Sequence, residues 1–270
     1  MTGSVFFETL RRKWRETLYW GIGLIIWAVY PFLLLPDQSG LAQYVDLIES
    51  LDPAVARAFG VGEPALFGTP EGFIGYAFFA YLLLIMGVYA VLAGLNFTAT
   101  EEDSGILDMV VSLPLPRWQI IVEKMLAYVV LVTAIALLAF SGLIIGQAIA
   151  PVEVDINMGR FLEATLNIIP STLVIMAVTV FFGVLVRRRI MATALAAGFV
   201  VISYILDVVG GLSDAAIAKT LAEFSVFEHF DGTHALLYGL QMGTVVMLFA
   251  VVIAFTAISV GLFQRRDLAV

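Results

Sequence analysis

Six stretches of this chain are long, apolar and almost free of charge: about 19–36, 73–98, 125–150, 164–186, 191–212 and 241–263. A helix needs roughly 20 apolar residues to cross the hydrocarbon core of a bilayer. Water is missing there, so each crossing segment must satisfy its own backbone, which a helix does and a lone strand does not. Strands of a membrane barrel would read as segments of ~10 residues alternating in hydrophobicity, and these runs do not alternate. Composition points the same way. Hydrophobic residues make up 61% and charged residues 13%, with a mean hydropathy of +1.00, against roughly 45–50% and 25% in soluble domains. The expectation is an all-α integral membrane protein, with residues 1–270 forming a single transmembrane domain of six helices. The first run does not read as a cleavable signal peptide, because it is long, starts after eighteen residues and lacks a small-residue cleavage pattern.

Basic residues orient the spans. With a cytoplasmic N-terminus, eleven lie inside: Arg11, Arg12, Lys13, Arg15, Arg117, Lys124, Arg187, Arg188, Arg189, Arg265 and Arg266. Only Arg57, Arg160 and Lys219 lie outside. Lysine and arginine are retained on the cytoplasmic side of short loops, so both termini are expected inside, in a multi-pass protein of the plasma (inner) membrane. The acidic residues behind the net charge of −8 fall mostly outside, and read as a solvated rim. A nucleic-acid partner needs a clustered basic face, and this charge balance argues against one.

The segments between the spans have patterns of their own. In residues 1–18, Phe6, Phe7, Leu10, Trp14 and Leu18 recur at helical spacing, with Glu8, Arg11, Arg12, Arg15 and Glu16 on the remaining surface. That describes an amphipathic helix in the inner interface, its basic residues near lipid headgroups, acting as a topological anchor or as a mechanical element. Leu41, Val45, Ile48, Leu51, Val55 and Phe59 follow helical steps, which fits a helix on the outer surface or over a cavity mouth. Between 212 and 239, Ser213 is placed to cap a short helix carrying Ala216, Ile217, Leu221 and Phe224, and a re-entrant hairpin is plausible.

Little in the chain suggests chemistry. Cysteine is absent, which excludes disulfides, a thiol nucleophile and iron–sulfur clusters. The histidines, His229 and His234, flank Asp231 at spacings that do not match a helical metal pair, so no metal and no catalytic residue is expected. HExxH and GxSxG motifs are both missing. The only aspartate, glutamate, lysine, arginine or histidine within the six runs is Asp207. Gly142 and Gly146 form a GxxxG pattern, which permits close helix crossing within the chain or across a dimer.

The most informative stretch is the 99–124 loop, ATEEDSGILDMVVSLPLPRWQIIVEK. Glu101, Glu102 and Asp103 would favour the positive end of a short helix. Ile106, Leu107, Met109, Val110, Val111 and Leu113 are too apolar for a free loop, and Pro114 and Pro116 would stop that helix and start the next. Arg117, Trp118 and Lys124 would anchor the third span at the interface. A half-apolar helix held by a proline turn suits docking to another protein, or lying on the membrane surface without a partner.

These residues resemble the membrane subunit of type-2 ABC transporters (the ABC-2 type permease family). The resemblance rests on Glu101 or Glu102, Gly105, Leu107, Ser112, Pro114, Arg117 and Lys124, and on Ser225-Val226-Phe227-Glu228-His229-Phe230 before the last span. Ile106 stands where that family carries threonine or serine. It implies that the 99–124 loop forms a cytoplasmic coupling helix docked on a separate ABC ATPase subunit, present in two copies. It also implies a homodimer or a dimer with a sister permease, and export of the cargo. ATP and Mg would belong to the partner, with no cofactor bound by this chain. The residues agree on one point, since no GxxxxGK[ST] phosphate loop occurs and the chain is not expected to be an ATPase. The near-absence of charge in the spans suits a hydrophobic or amphiphilic cargo. An ion-coupled secondary transporter would need more intramembrane ionisable groups than Asp207 supplies. A non-transporting assembly or sensor subunit would share the docking loop.

Overall fold

The computed structural model describes residues 3–52, 56, 64–100, 116–152, 156–186, 188–213 and 215–265. Its architecture is all-helical, with six helical segments long and apolar enough to cross a membrane. In chain order the helices are α1 (Ser4–Leu33), α2 (Gln38–Glu49), α3 (Pro70–Phe79), α4 (Leu82–Leu95), α5 (Arg117–Ile149), α6 (Met158–Leu166), α7 (Ile168–Leu185), α8 (Arg189–Leu212), α9 (Ala216–Ala222), α10 (Gly232–Tyr238) and α11 (Met242–Arg265), with a 3-10 turn at Pro64–Gly68. The spans are α1, α3 with α4, α5, α6 with α7, α8 and α11.

Two of these helices extend well beyond the apolar runs. The amphipathic N-terminal segment is continuous with the first span: α1 runs unbroken from Ser4 to Leu33. Phe6 and Leu10 are half-buried, with Leu10 against the core. Phe7 and Trp14 are exposed, as are Arg11, which pairs with Glu8 at 3.1 Å, and Arg15, whose guanidinium lies over the Trp14 ring. That is the arrangement of side chains reaching a polar interface from an apolar face. Helix α5 likewise begins at Arg117, ahead of its apolar run.

The fourth span breaks at Asn167, and the cause is local. Pro170 has no N–H to donate to the Leu166 carbonyl and its ring crowds that group, so α6 ends at Leu166 and α7 starts afresh at Ile168. Within α7, Leu173, Ile175, Met176, Ala177 and Val180 are fully buried, and the helix packs against α4, α5, α8 and α11. Two of its three buried hydroxyls are satisfied within the helix, because Thr172 and Thr179 donate to the carbonyls of Ile168 and Ile175, whereas the Ser171 hydroxyl has no hydrogen-bond partner among the described residues. By contrast, few residues of α8 and α11 are buried.

Helix α1 and α5 run side by side in the same direction, and glycines set their separation. A Cβ on Gly142 would sit 2.7 Å from Ile25 Cα and 2.8 Å from its carbonyl oxygen, and one on Gly146 would run into the Phe32 ring. Gly21 on α1 accepts Leu138 in the same way. The GxxxG pattern therefore faces α1 of its own chain.

At the end of the bundle remote from the N-terminus, α2 is capped by Asp37, whose carboxylate accepts the Gly40 N–H at 2.8 Å. Leu41 is buried, and Val45 and Ile48 pack with Ala56, Phe67 and Tyr76. Val55 and Phe59, which continue the same sequence pattern, lie outside the described residues. Ser213 does not cap α9 directly. Its hydroxyl accepts the Ala215 N–H at 3.2 Å, and the helix begins one residue later with Ala215 as its cap residue. Ile217 and Phe224 are exposed, while Ala222 packs on Gly210 of α8.

Candidate functional site

The two ends of the bundle differ in charge and in construction. The basic end carries the N-terminus, Arg117, Lys124, Arg188, Arg189 and Arg265; the acidic end carries Asp37, Glu163, Glu228 and Asp231.

At the basic end the key residues are Glu123 and Lys124, both buried. The first N–H groups of any helix lack intrahelical partners. For α1 no side chain of its own fills this role. The Glu123 carboxylate of α5 does so instead, accepting Gly3 N–H at 2.7 Å through Oε1, and Val5 N–H at 2.9 Å and Phe6 N–H at 3.1 Å through Oε2. Gln119, one turn earlier, donates its amide to Oε1. A carboxylate at a helix N-terminus is also favoured by the helix dipole. Gly3 turns the chain into this grip at φ +93°, a conformation that a side chain at this position would strain.

Successive residues of a helix point about 100° apart, so Lys124 reaches a different neighbour. Its ammonium donates to the Phe97 carbonyl at 2.9 Å and, more weakly, to that of Asn96 at 3.5 Å, just past the end of α4. A cation there complements the negative end of the helix dipole. Lys124 is thus buried within the bundle and does not reach a headgroup surface as a flanking lysine would. One helical turn of α5 ties together the start of the first span and the end of the second.

Of the other residues that the sequence singles out in this region, Glu101, Glu102, Gly105, Leu107, Ser112 and Pro114 lie outside the described residues. Arg117 opens α5 on Pro116. Glu123 was legible only as half of a charged pair preceding an apolar run. Its part as a cap for a helix more than a hundred residues away leaves no local signal.

The acidic end holds a cavity of about 600 Å³ between α3, α4, α8 and α10. Tyr76, Phe79 and Tyr81 come from the second span, Tyr204 and Asp207 from α8, and Phe227, Glu228 and Asp231 from the connection before α10. That connection is pinned to α8 by two serines. Ser225 Oγ donates to the Ser203 carbonyl at 2.7 Å, and Ser203 Oγ accepts the Val226 N–H at 2.8 Å. The Phe227 N–H then turns back to Ser225 Oγ at 3.0 Å. Ser203 and Asp207 are one turn apart on α8, so this pinning brings Glu228 beside Asp207. Tyr204 and Phe227 meet edge to face at 5.4 Å.

Asp231 is held independently. It caps α10 by accepting the His234 N–H at 2.7 Å. Gly232 fits against the Phe79 ring, where a Cβ would come within 2.6 Å. The two histidines have separate partners: the His229 ring pairs with the Glu223 carbonyl at 2.9 Å, and the His234 ring lies against Tyr238. Among the described residues, no group of three or more potential ligands could hold a metal ion.

Six membrane-length spans, the fourth of them largely buried among the others, with a cavity at one end, define a multi-pass membrane protein. Residues 9–266 match the family described as multidrug efflux system permease Rv1217c, C-terminal domain. The chain belongs to that family and is a permease of an efflux system. No individual curated protein matches it significantly.

Proposed function

We propose that this permease is the membrane subunit of an ATP-driven exporter of the type-2 ABC class, powered by a separate ATPase. The observation that carries the reading is the joint at Glu123 and Lys124. It lies at the C-terminal end of the 99–124 stretch whose residues resemble a coupling helix, about two helical turns past Pro116. The basic end faces the cytoplasm in this reading, as the distribution of lysine and arginine favours. Nucleotide binding closes the paired ATPase subunits against Glu101, Glu102, Leu107 and their neighbours. Displacement passes through Pro116 into α5. Because Glu123 grips α1 and Lys124 grips the end of α4, the first two spans move with α5 instead of sliding past it. That couples a push at one end to alternation between inward-open and outward-open states. Two such chains, identical or sister, assemble with two ATPase subunits. The cargo is hydrophobic or amphiphilic, and no cofactor or metal is assigned to this chain.

The test is purification of the tagged chain from its membrane, followed by reconstitution in liposomes. Recovery of a stoichiometric partner with a phosphate loop, lost on Glu102→Arg with Leu107→Asp, and transport that requires ATP are the expected results. Transport by the chain alone, driven by an ion gradient, would replace this reading with the secondary carrier.

A further inference from the structure

The cavity at the acidic end combines three properties that point to one class of ligand. Its volume, about 600 Å³, lies in the range of pockets that enclose drug-sized molecules, roughly 300–1,000 Å³. Its walls present aromatic rings from separate elements: Tyr76 and Tyr81 from the second span, Tyr204 from α8 and Phe227 from the connection before α10. Three carboxyl groups, Asp207, Glu228 and Asp231, line it, and among the described residues no lysine or arginine does. Aromatic faces attract cations through the ring quadrupole, and carboxylates in a partly apolar cavity favour a positive partner.

The compact alternative, a metal ion, is disfavoured by geometry. The carboxyls are not grouped as a ligand set among the described residues. The architecture is also fixed in advance. The paired serines set Glu228 beside Asp207, and Asp231 is committed to capping α10, so the acidic wall does not depend on a ligand to assemble.

We propose that this cavity is a binding site for organic cations carrying a bulky apolar body, and that such amphiphilic cations are a cargo class of the efflux system. The carboxyls of Asp207 and Glu228 receive the positive charge, and the tyrosine and phenylalanine rings receive the apolar body. The cargo half of the statement rests on the exporter reading above, whereas the binding half concerns this chain alone.

The test is equilibrium binding to the full chain in a neutral detergent, with no ATPase and no ATP present. The probes are tetraphenylphosphonium and tetraphenylborate, which share a shape and differ in sign. Saturable binding of the cation with at least ten-fold preference over the anion is expected. Asp207→Asn with Glu228→Gln should weaken the cation ten-fold or more. These changes remove like charges from neighbouring positions, so the thermal unfolding midpoint should hold or rise. Asp231→Asn supplies a second variant, because asparagine also caps helices; it should weaken binding by a smaller factor.

Equal binding of the two probes, or unchanged cation affinity in the double variant, would overturn the site. ATP-driven export of a neutral compound by a chain that binds neither probe would leave the exporter reading intact and remove only this inference. Cation binding that survives in a chain unable to transport with ATP would keep the site and remove the exporter.

Discussion

The two ends of the bundle are built on opposite plans. At the basic end, buried charges are used up on the backbone: Glu123 on the first N–H groups of α1, Lys124 on the last carbonyls around α4. At the acidic end, three carboxyls line an open cavity, and of those three only Asp231 is shown serving the backbone. A buried charge fully engaged by hydrogen bonds stiffens a structure, because breaking it strands both partners. Charges facing a cavity leave room for something else to satisfy them. The comparison teaches that one end is suited to transmitting force and the other to receiving a ligand.

The sharpest way to break that contrast is Glu123→Ala. Several N–H groups of α1 would lose a charged acceptor, and removing hydrogen bonds to charged groups costs about 1.5–3 kcal/mol. A loss at the upper part of that range is expected in reversible unfolding from mixed detergent, with α1 released from α5 in disulfide cross-linking between introduced cysteines. A stability unchanged within error would show that the carboxylate is not a structural clamp.

Next comes Gly142→Val. The added carbons would meet the backbone of Ile25 and the Cβ of Ala28, neither of which can swing away, so a cost of about 1–3 kcal/mol is expected from overpacking. Gly146→Ala meets the Phe32 ring instead, which can rotate, and should cost less. Equal costs at the two positions would mean that α1 shifts as a body.

Lys124→Met keeps much of the side-chain length and removes the ammonium from the Phe97 carbonyl. About 1–2 kcal/mol is the expected loss. At the other end, Ser225→Ala should cost about 1 kcal/mol and, more tellingly, should reduce cation binding by freeing Glu228 from its place beside Asp207. A variant that loses stability without losing binding would separate the serine pair from the cavity.

The smallest expected effect depends on pH. The Gly40 N–H and the Ser39 hydroxyl hold the Asp37 carboxyl below the usual carboxylate range. A depressed folded-state pKa means that the cap stabilises α2 above the ordinary carboxylate range and is lost as pH falls through the lowered value. Because Asp37 is exposed, the effect is local: the protection of the Gly40 amide, relative to its intrinsic exchange rate at each pH, should fall at acidic pH and lose that dependence in Asp37→Ala. Pepsin-range exchange insensitive to the substitution would contradict the cap.

How legible this was in the sequence follows from the distance over which each contact acts. The spans were legible because hydropathy is a local property, and each apolar run corresponds to a membrane-length helical segment, two of them made of two helices. Their ends were less so. Hydropathy registers the apolar part of a helix, whereas α1 and α5 continue past it on capping and amphipathic residues. The spacing of Gly142 and Gly146 announced a close approach but left its partner open, since the answering residues Ile25, Ala28 and Phe32 sit in another span. Glu123 lay in plain view beside Lys124, yet the N–H donors it accepts are at Gly3, Val5 and Phe6, and no periodicity links them. The cavity is the extreme case, because Tyr76, Asp207 and Glu228 come from segments that meet only in the folded bundle.

The central claim is that force enters at the basic end and travels through the Glu123 joint. It is tested most directly by comparing ATP hydrolysis and export in the reconstituted complex for the wild-type chain and Glu123→Gln. The glutamine keeps the shape and one acceptor oxygen but turns an amide N–H toward the N–H groups of α1. The expected result is ATP hydrolysis near the wild-type rate with export reduced at least ten-fold. Export and hydrolysis falling together, or both unchanged, would contradict the account.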